Sequence, residues 1–387
     1  MVIPRASTQF LRKLAKGWPV VAVTGPRQSG KTTLVRAVFP EKPYVSLEDP
    51  DQMEFARKDP RGFLSRFPEG AILDEVQRCP ELFSYLQTRV DAAGKMGMFV
   101  LTGSQQFGLL SGITQSLAGR AGLLQLLPLS VDELKKGNRE VKNPDTLLYQ
   151  GGYPPLYSRR VSPVNWYANY VMTYVERDVR QLINVKDLSV FRRFFKLCAA
   201  RTGQLLNLSS LANDCGITHN TAKAWISVLE ASYLVFLMNP HHKNFGKRLV
   251  KTPKLYFYDT GLAAWLLGIE DAKHMAIHSM RGELFESFVV AEMLKARFNK
   301  GLPSNLFFWR DNTGNEVDVL IEKGERLTAV EIKSGRTVTE DYFTSLMKWR
   351  RISGSSGKQY LVYGGGEHYT RSQVTLLPWN RAADLEM

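Results

Sequence analysis

The sequence predicts an α/β protein with three parts: a P-loop parallel-sheet domain, a helical and winged-helix middle domain, and a C-terminal α/β domain. In the first third, apolar strand-like runs end in Gly-rich or acidic turns, as in parallel sheets that bind ligands at strand carboxyl ends. In the middle, two short helical patterns flank a tight turn. In the last third, a helical pattern precedes two strands in which apolar and charged residues alternate. Because 387 residues exceed what one core usually serves, we predict domains at residues 1–150, 151–265 and 266–387.

The charge of the chain is concentrated in its middle. Of the net charge of +14, residues 151–260 carry +9, whereas residues 261–387 are balanced. Such a basic segment favours contact with a polyanion, most often nucleic acid. The alternative is a basic, well-solvated surface without a specific partner.

Composition excludes several other classes of protein. Cys79, Cys198 and Cys215 are isolated in the sequence, so neither a disulfide framework nor a zinc site is indicated. No apolar run approaches the length that crosses a bilayer, and the first residues lack the apolar core of a signal peptide. We therefore expect a cytoplasmic protein with no membrane partner.

A Gly-rich turn follows the apolar run "VVAVT" and precedes a helical pattern. Residues 25–32, "GPRQSGKT", fit G-x-x-x-x-G-K-[ST] without a gap. Glycines let backbone N–H groups curl round phosphates, and the helix that opens after Gly30 adds its positive dipole end. We expect Lys31 to reach the outer phosphates and Thr32 to ligate Mg²⁺. The predicted nucleotide-binding residues are Gly25, Arg27, Gln28, Ser29, Gly30, Lys31, Thr32 and Thr33.

Two further apolar runs end in residues suited to phosphoryl transfer. "AILDE" ends in Asp74, a candidate ligand of Mg²⁺, and Glu75, a candidate base that polarises water; an exposed acidic loop is the alternative. "MFVLTGSQ" leads to Ser104, a candidate sensor of the γ-phosphate. Arg120 follows as a candidate arginine finger or as one partner of a surface salt bridge.

The order of these motifs resembles one protein family. "TGPRQSGKTTL", "AILDEVQRCP", "LTGSQ", "SLAGR" and "LPLS", followed by "GGYPPLY", "YFYDTGLAAWLLG" and "NEVDVLIE…AVEIKSG", look like the AAA-type ATPases of bacteria and archaea that carry a DUF4143 C-terminal region. The resemblance covers nearly the whole chain and implies ATP, with Mg²⁺, as the cofactor. The chain also lacks the N-K-x-D tetrapeptide expected of a guanine site.

The middle of the chain has the spacing of a helix-turn-helix. Asn207 or Ser209 can cap a short helix, residues 215–217 supply the tight turn, and Thr218 caps a second helix. Two strand-like runs flank "PHHKNFGKR" as they would flank a wing. The candidate DNA-contacting residues are His219, Asn220, Lys223 and Trp225 on the second helix and His242, Lys243, Lys247 and Arg248 on the wing. The alternative is a module that contacts protein.

The last third predicts a hairpin with converging charges. Asp318 lies on one strand, and Glu331 and Lys333 lie on its neighbour, on the faces opposite the apolar residues. This D…E-x-K arrangement suits metal-dependent phosphodiester hydrolysis. The segment resembles the PD-(D/E)XK nuclease superfamily, whose further carboxylate corresponds to Glu286 better than to Glu283. A nuclease-like fold retained for binding alone is the alternative to a metal site at Glu286, Asp318, Glu331 and Lys333.

We therefore predict an ATPase that couples hydrolysis to binding or remodelling of DNA, with branched, Holliday-junction-like DNA as the form that the resolvase-like fold suggests. A nucleotide-gated signalling or defence switch and a metal-dependent DNA nuclease are the alternatives. An oligomer is compatible with the sequence, but nothing in the sequence demands one.

Overall fold

A computed structural model describes residues 3–104, 106–159, 161–175, 187–241, 250–354 and 357–386 of the chain. The helices are α1 (Thr8–Gly17), α2 (Lys31–Val38), α3 (Pro50–Lys58), α4 (Pro60–Ser65), α5 (Leu82–Ala93), α6 (Gln106–Ser116), α7 (Val131–Lys136), α8 (Pro144–Gln150), α9 (Pro155–Ser158), α10 (Pro163–Tyr170), α11 (Leu188–Ala199), α12 (Leu208–Cys215), α13 (His219–Ala231), α14 (Thr260–Leu266), α15 (Ala272–Ile277), α16 (Arg281–Phe298) and α17 (Thr344–Ser353). The strands are β1 (Val20–Thr24), β2 (Tyr44–Ser46), β3 (Ile72–Asp74), β4 (Phe99–Thr102), β5 (Ala121–Gln125), β6 (Val235–Met238), β7 (Lys254–Phe257), β8 (Leu306–Arg310), β9 (Glu316–Lys323), β10 (Arg326–Lys333), β11 (Gln359–Tyr363), β12 (Tyr369–Arg371) and β13 (Val374–Pro378).

The first part of the chain is a parallel sheet of five strands in the order β2-β3-β4-β1-β5. Strands β1, β3 and β4 are buried along their whole length because both faces of the sheet are covered there. Ala22 and Leu101 face one core, and Val21 and Val100 face the other. The carboxyl ends of β1, β3 and β4 therefore lie at one edge, and the polar residues that follow these strands meet there. The predicted α/β class is confirmed.

The helix-turn-helix spacing corresponds to two capped helices. The side chain of Asn207 accepts a hydrogen bond from the backbone N–H of Ser210 at 2.9 Å and caps α12. Gly216 ends α12 with a φ of +68°. Thr218 then caps α13 by accepting a hydrogen bond of 3.1 Å from the backbone N–H of Thr221. The tight turn and both caps lie where the sequence predicts them.

The prediction that Trp225 lies on the exposed face of α13 is wrong. Trp225 is only 6% exposed, and its ring packs edge-on against Phe191 and Phe194 at centroid distances of 5.3 and 5.1 Å. A large indole gains more from burial against apolar rings than from solvent. Lys223 is exposed on the opposite side of the helix.

The two-stranded sheet of β6 and β7 connects the middle of the chain to its C-terminal part. The two strands are antiparallel, and β6 continues past its end toward β8: the backbone N–H of His241 donates to the carbonyl of Phe308 at 2.7 Å. On the return segment, the N–H of Val250 donates to the carbonyl of Arg310 at 3.2 Å. Residues 242–249, which include the predicted wing contacts His242, Lys243, Lys247 and Arg248, lie outside the described residues, so the winged helix stays a prediction.

The C-terminal part is a mixed sheet of six strands in the order β12-β13-β11-β10-β9-β8. As predicted, β9 and β10 form an antiparallel hairpin, in which Val330 is opposite Val319. The hairpin also contributes apolar residues to a separate core, in which Leu320 and Ala329 pack with Trp349 of α17. Asp318 and Glu331 are themselves buried, so these two carboxylates lie inside the protein. The nuclease-like character of this fold stays a prediction.

The middle and C-terminal parts share one apolar core. Phe257 of β7, Val289 of α16 and Val330 of β10 all belong to it. The boundaries predicted at residues 150 and 265 stay predictions. The shared core has members on both sides of each, such as Leu148 and Tyr153 at the first and Ala264 and Ile269 at the second. A shared core of this kind transmits displacements between packed elements, since protein interiors are close-packed.

The cysteines are buried and free in the structure. Burial raises the pKa of the thiols of Cys79, Cys198 and Cys215, which keeps them protonated and unreactive at neutral pH. Among the helices of the described residues, none is both long and apolar enough to span a bilayer.

Candidate nucleotide site and acidic cluster

The Gly-rich turn folds back over the end of β1. Gly25 has a φ of +142°, and a Cβ there would lie 2.0 Å from the carbonyl oxygen of Leu126, so only glycine fits. Gly30 precedes α2 with a φ of +92°. The Nζ of Lys31 donates to the carbonyls of Gly25 and Pro26 at 3.0 and 2.9 Å. The loop therefore holds the Lys31 ammonium at the start of α2, where the helix dipole also favours an anion.

Asp74 is fixed at the end of β3 by hydroxyl groups from three other elements. It accepts hydrogen bonds from Thr32 at 3.0 Å, from Tyr44 at 2.7 Å and from Thr102. Burial and the bond to Asp74 raise the pKa of Tyr44 to about 12, which keeps this phenol a donor. Thr32 and Asp74 thus place two neighbouring oxygen-bearing side chains of the type that would hold Mg²⁺. Sequence reasoning missed Tyr44, which has no motif around it.

Glu75 has the conformation of a strained turn residue. Its φ is +53°, uncommon for a residue other than glycine and frequent at functional sites. The carboxylate accepts hydrogen bonds from Gln77 Nε2 at 2.5 Å and from Ser104 Oγ at 2.9 Å. The structure therefore brings the predicted base and the predicted sensor together, and Ser104 contacts the base directly.

Arg120 does not join this group. The N–H of Val20, at the start of β1, donates to the carbonyl of Arg120 at 3.1 Å, so Arg120 lies at the sheet edge opposite the P-loop. Its guanidinium donates to both carboxylate oxygens of Asp91 at 2.6 and 2.8 Å. Within its own chain, Arg120 is a surface salt-bridge residue and does not contact the site.

A cavity of about 480 Å³ adjoins the P-loop. Besides the predicted Arg27, Gln28, Gly30, Lys31, Thr32, Thr33, Asp74 and Glu75, its walls include Glu48, Pro154, Pro155, Ser158, Arg159 and Tyr174. A second, more apolar cavity of about 330 Å³ lies beside it and shares Gly30, Thr33, Pro154 and Ser158 with it. Together the two cavities match the two ends of a nucleotide, because the larger cavity is lined mostly by polar and charged groups and the smaller one is more apolar.

The N-terminal segment holds the P-loop from behind. Arg5 donates to the carboxylate of Glu133 at 3.0 Å, to the carbonyl of Ser29 at 2.6 Å and to that of Leu127 at 2.6 Å. Glu133 is fully buried and also forms the capping box of α7 with Ser130. The sequence offers no signal for Arg5, because its partners are up to 128 positions away.

Tyrosines connect the middle of the chain to the nucleotide edge. Tyr167, Tyr170 and Val171 lie at helical spacing and form a stripe that is buried in the core. Tyr174 continues the stripe to the P-loop, where its hydroxyl accepts from Gln28 Nε2 at 3.0 Å and its ring lies beside Arg27. These contacts place the helical segment directly against the P-loop.

Two further tyrosines contact the carboxyl ends of strands next to the P-loop. The hydroxyl of Tyr233 donates to Oγ1 of Thr24 at 2.8 Å, and that of Tyr258 is hydrogen-bonded to Gln125. Thr24 and Gln125 are the last residues of neighbouring strands β1 and β5. Both tyrosines flank the hairpin of β6 and β7, so this hairpin is joined to the strand that carries the P-loop.

The acidic cluster of the C-terminal part is buried and contains two lysines. Asp318 accepts from the backbone N–H of Ile332 at 2.8 Å, and Glu331 pairs with Lys333 at 2.6 Å. Glu286 pairs instead with Lys254 of β7 at 3.0 Å. Burial raises the pKa of Glu286 to about 7 and that of Glu331 to about 8, with repulsion from Asp318 adding to both. The four predicted residues converge, together with a cation that sequence reasoning missed.

Family models match the chain in three successive segments. Residues 17–135 match the AAA domain, residues 141–273 a domain of unknown function (DUF8612), and residues 281–382 a domain of unknown function (DUF4143). An uncharacterized protein of Mycobacterium tuberculosis is 32% identical over 375 residues, which are 96% of this chain and 82% of that protein. An uncharacterized protein of Mycobacterium bovis matches with the same values.

Solved structures of P-loop ATPases resemble part of the fold. The Walker-type ATPase of Pyrococcus abyssi is 15% identical, with 68% of this chain and 96% of that chain covered at a TM-score of 0.46. AMPPCP-bound DnaA from Aquifex aeolicus is 18% identical, with coverages of 58% and 85% and a TM-score of 0.32. The RuvB Holliday junction branch migration motor of Thermotoga maritima is 18% identical, with coverages of 59% and 88% and a TM-score of 0.30. Likeness at these scores says nothing about what this chain binds.

The residues of the two sites lie within the segments that the family models match. A P-loop with its Thr32–Asp74 pair lies inside the segment that matches the AAA domain, and the hairpin of β9 and β10 lies inside the segment that matches DUF4143. The chain belongs to the family of AAA-type P-loop ATPases that carry a DUF4143 C-terminal region.

Proposed function

We propose that this chain hydrolyses ATP and that the helix-turn-helix of its middle part binds DNA and controls the hydrolysis. The observation that carries the proposal is the arrangement of Thr32, Asp74 and Glu75 beside the P-loop, with Tyr233 connecting the helix-turn-helix to β1, the strand that leads into the P-loop. The first half of this arrangement supplies the chemistry, and the second half supplies a route for control.

For hydrolysis, the cavity beside the P-loop takes the phosphates of ATP. The backbone N–H groups of the loop and the Lys31 ammonium bind the outer phosphates, while Thr32 and Asp74 hold Mg²⁺, which neutralises charge on the transferring phosphoryl group. Glu75 accepts a proton from the attacking water or orients it. Ser104 holds Glu75 in place through their 2.9 Å hydrogen bond.

The smaller, apolar cavity suits the adenine base. Ile3, Leu34 and Pro154 line it, and they offer apolar surface to an aromatic ring. The Ser158 hydroxyl lies at the boundary of the two cavities, where the ribose of a bound nucleotide would be. Pro154 and Ser158 lie outside the segment that matches the AAA domain. In this proposal, residues of the middle part of the chain therefore also contact the nucleotide.

Charge and exposure support DNA as the controlling ligand. Residues 151–260 carry +9 of the net charge, and His219, Asn220 and Lys223 are exposed at the start of α13. Such residues at the start of a second helix are positioned to contact phosphates and base edges. The predicted contacts Lys243, Lys247 and Arg248 would add phosphate contacts from the predicted wing.

A hydrolysis assay with defined DNA forms tests the proposal. Wild type and Lys31→Ala are assayed with ATP and Mg²⁺, alone and with single-stranded, duplex and four-way-junction DNA of equal nucleotide content. We expect hydrolysis that Lys31→Ala abolishes and that one DNA form increases several-fold. No DNA effect on a measurable ATPase rate, with no DNA retention at moderate salt, would leave the ATPase and remove the DNA ligand. That outcome would favour the nucleotide-gated switch.

A further inference from the structure

The predicted nuclease-like site contains a buried lysine that the D…E-x-K pattern does not include. Lys254 opens β7 and is only 3% exposed. Its Nζ lies 3.0 Å from Glu286 Oε1 and 2.5 Å from Glu316 Oε1. Asp318 attracts it further and contributes to raising its pKa. The ammonium is therefore surrounded by carboxylates from α16 and β9.

The carboxylates are also engaged by groups other than Lys254. Glu286 Oε1 accepts from the Tyr256 hydroxyl as well, Asp318 Oδ2 accepts from the N–H of Ile332, and Glu331 Oε1 is bound to Lys333. A divalent cation needs several oxygens turned toward one point at 2.0–2.6 Å. Among the described residues, no three acidic, histidine or cysteine side chains are gathered in that way. The residues present thus do not fit a metal while Lys254 lies among them.

We propose that the ammonium of Lys254 takes the place of the divalent cation in this cluster, so that the cluster is a charge-paired anchor and not a metal-dependent nuclease centre. Burying several carboxylates together requires a compensating cation, and the protein supplies that cation from its own chain. Lys254 comes from the hairpin of β6 and β7, whereas Glu286, Glu316 and Asp318 come from the C-terminal part. The anchor therefore fixes the hairpin to the C-terminal sheet.

The surroundings of Lys254 support a fixed position of its side chain in the cluster. Its Nζ lies 5.6 Å from the centroid of the Phe308 ring, and Phe308 itself accepts the backbone hydrogen bond from His241 of the hairpin at 2.7 Å. The neighbouring bridge between Pro240 and Phe308 continues the pairing of hairpin and sheet. Backbone pairing and the lysine thus connect the same two elements.

Titration with Mn²⁺ in the absence of nucleotide tests the inference. Wild type, Asp318→Asn, Lys254→Met and Lys254→Arg are compared by calorimetry and by the EPR signal of free Mn²⁺. We expect wild type and Lys254→Arg to show no Mn²⁺ uptake that depends on Asp318. Lys254→Met should bind Mn²⁺ about tenfold or more tightly than wild type, and adding Asp318→Asn to it should remove the gain.

Two outcomes would overturn the inference. Wild-type uptake of Mn²⁺ that Asp318→Asn abolishes would show that a metal and Lys254 are compatible. A Lys254→Met chain that is folded by circular dichroism but gains no Mn²⁺ would show that the carboxylates alone do not form a cation site. If Lys254→Met does not fold, the comparison of wild type with Asp318→Asn still decides the question.

Discussion

The hydroxyl of Tyr233 lies 2.8 Å from Oγ1 of Thr24, 209 positions earlier in the chain, and donates a hydrogen bond to it. Thr24 is the residue immediately before the P-loop, and Tyr233 follows α13, the second helix of the helix-turn-helix. Tyr233 has a φ of +56° and is only 3% exposed, so its position is fixed. A single side chain therefore connects the segment that follows α13 to the start of the P-loop.

Tyr233→Phe should separate DNA binding from hydrolysis. The change removes only the hydroxyl, a loss of about 1 kcal/mol in the free energy of unfolding, and leaves the ring packed. We expect basal hydrolysis within about twofold of wild type and most of the stimulation by DNA to be lost, as measured by steady-state rates with and without DNA. Tyr363→Phe, which removes a hydrogen bond of 3.0 Å to the Glu367 carbonyl, is the matched control. Equal stimulation in wild type and Tyr233→Phe would exclude this route.

The parts of the site that the sequence predicted are those encoded locally. Gly25, Lys31 and Thr32 follow one another within a single turn, and their spacing alone determines the loop. Asp74 and Glu75 end a buried strand, and parallel sheets bring such ends together. The caps at Asn207 and Thr218 likewise depend only on residues up to three positions away.

The parts that the sequence did not predict depend on contacts between distant segments. Arg5 and Lys254 are ordinary basic residues in the sequence, and only the folded chain places each beside a buried carboxylate. Trp225 was assigned to the exposed face because helical spacing alone does not say which face is buried. Nothing in the sequence of β9 and β10 alone reveals how deeply Asp318 and Glu331 are buried.

Glu75→Gln should stop hydrolysis without preventing ATP binding. The amide keeps the shape of the side chain and can still accept from Ser104 and Gln77, but it cannot act as a base. We expect kcat to fall about 10²- to 10⁴-fold and the Kd for ATP to change by less than about twofold. Phosphate release measures kcat, and the fluorescence of a labelled nucleotide measures the Kd for ATP. Glu48→Gln, which removes a carboxylate from the same cavity, should leave kcat nearly unchanged; a similar fall in both variants would contradict the role of Glu75.

Arg5→Ala should destabilise the first domain. Glu133 would keep its backbone donors but lose the guanidinium that pairs with it in a fully buried place. Breaking a buried pair in this way costs about 3–5 kcal/mol, and release of the Ser29 carbonyl should weaken ATP binding as well. Urea denaturation measures the first effect. Arg12→Ala, at an exposed position of the same segment, should change stability by less than about 0.5 kcal/mol, and combining Arg5→Ala with Glu133→Gln should recover part of the loss.

Lys223→Ala should weaken DNA binding in a salt-dependent way. A lysine that neutralises one phosphate contributes to counterion release, so its loss should lower the slope of log K against log salt by about 1. Fluorescence anisotropy at several salt concentrations gives that slope. Lys273→Ala removes an exposed lysine near the C-terminal part and should leave the slope unchanged. The same slope in wild type and Lys223→Ala would remove this face of α13 from the DNA contact.

Arg120→Ala should have no effect on hydrolysis wherever the chain is monomeric. The guanidinium lies at the sheet edge opposite the P-loop, and its solvent-exposed pair with Asp91 contributes little to stability. Rates at concentrations where light scattering reports a monomer should therefore agree within about twofold with wild type. If the chain associates at higher concentration and Arg120 contacts the phosphates bound to a neighbouring chain, the hydrolysis rate per chain should rise for wild type and stay flat for Arg120→Ala. Mixing Arg120→Ala with Lys31→Ala should then restore part of the rise, since the Arg120→Ala chain supplies an intact P-loop and the Lys31→Ala chain supplies an intact Arg120. A loss of hydrolysis by Arg120→Ala in the monomer itself would contradict the position of Arg120 in the fold.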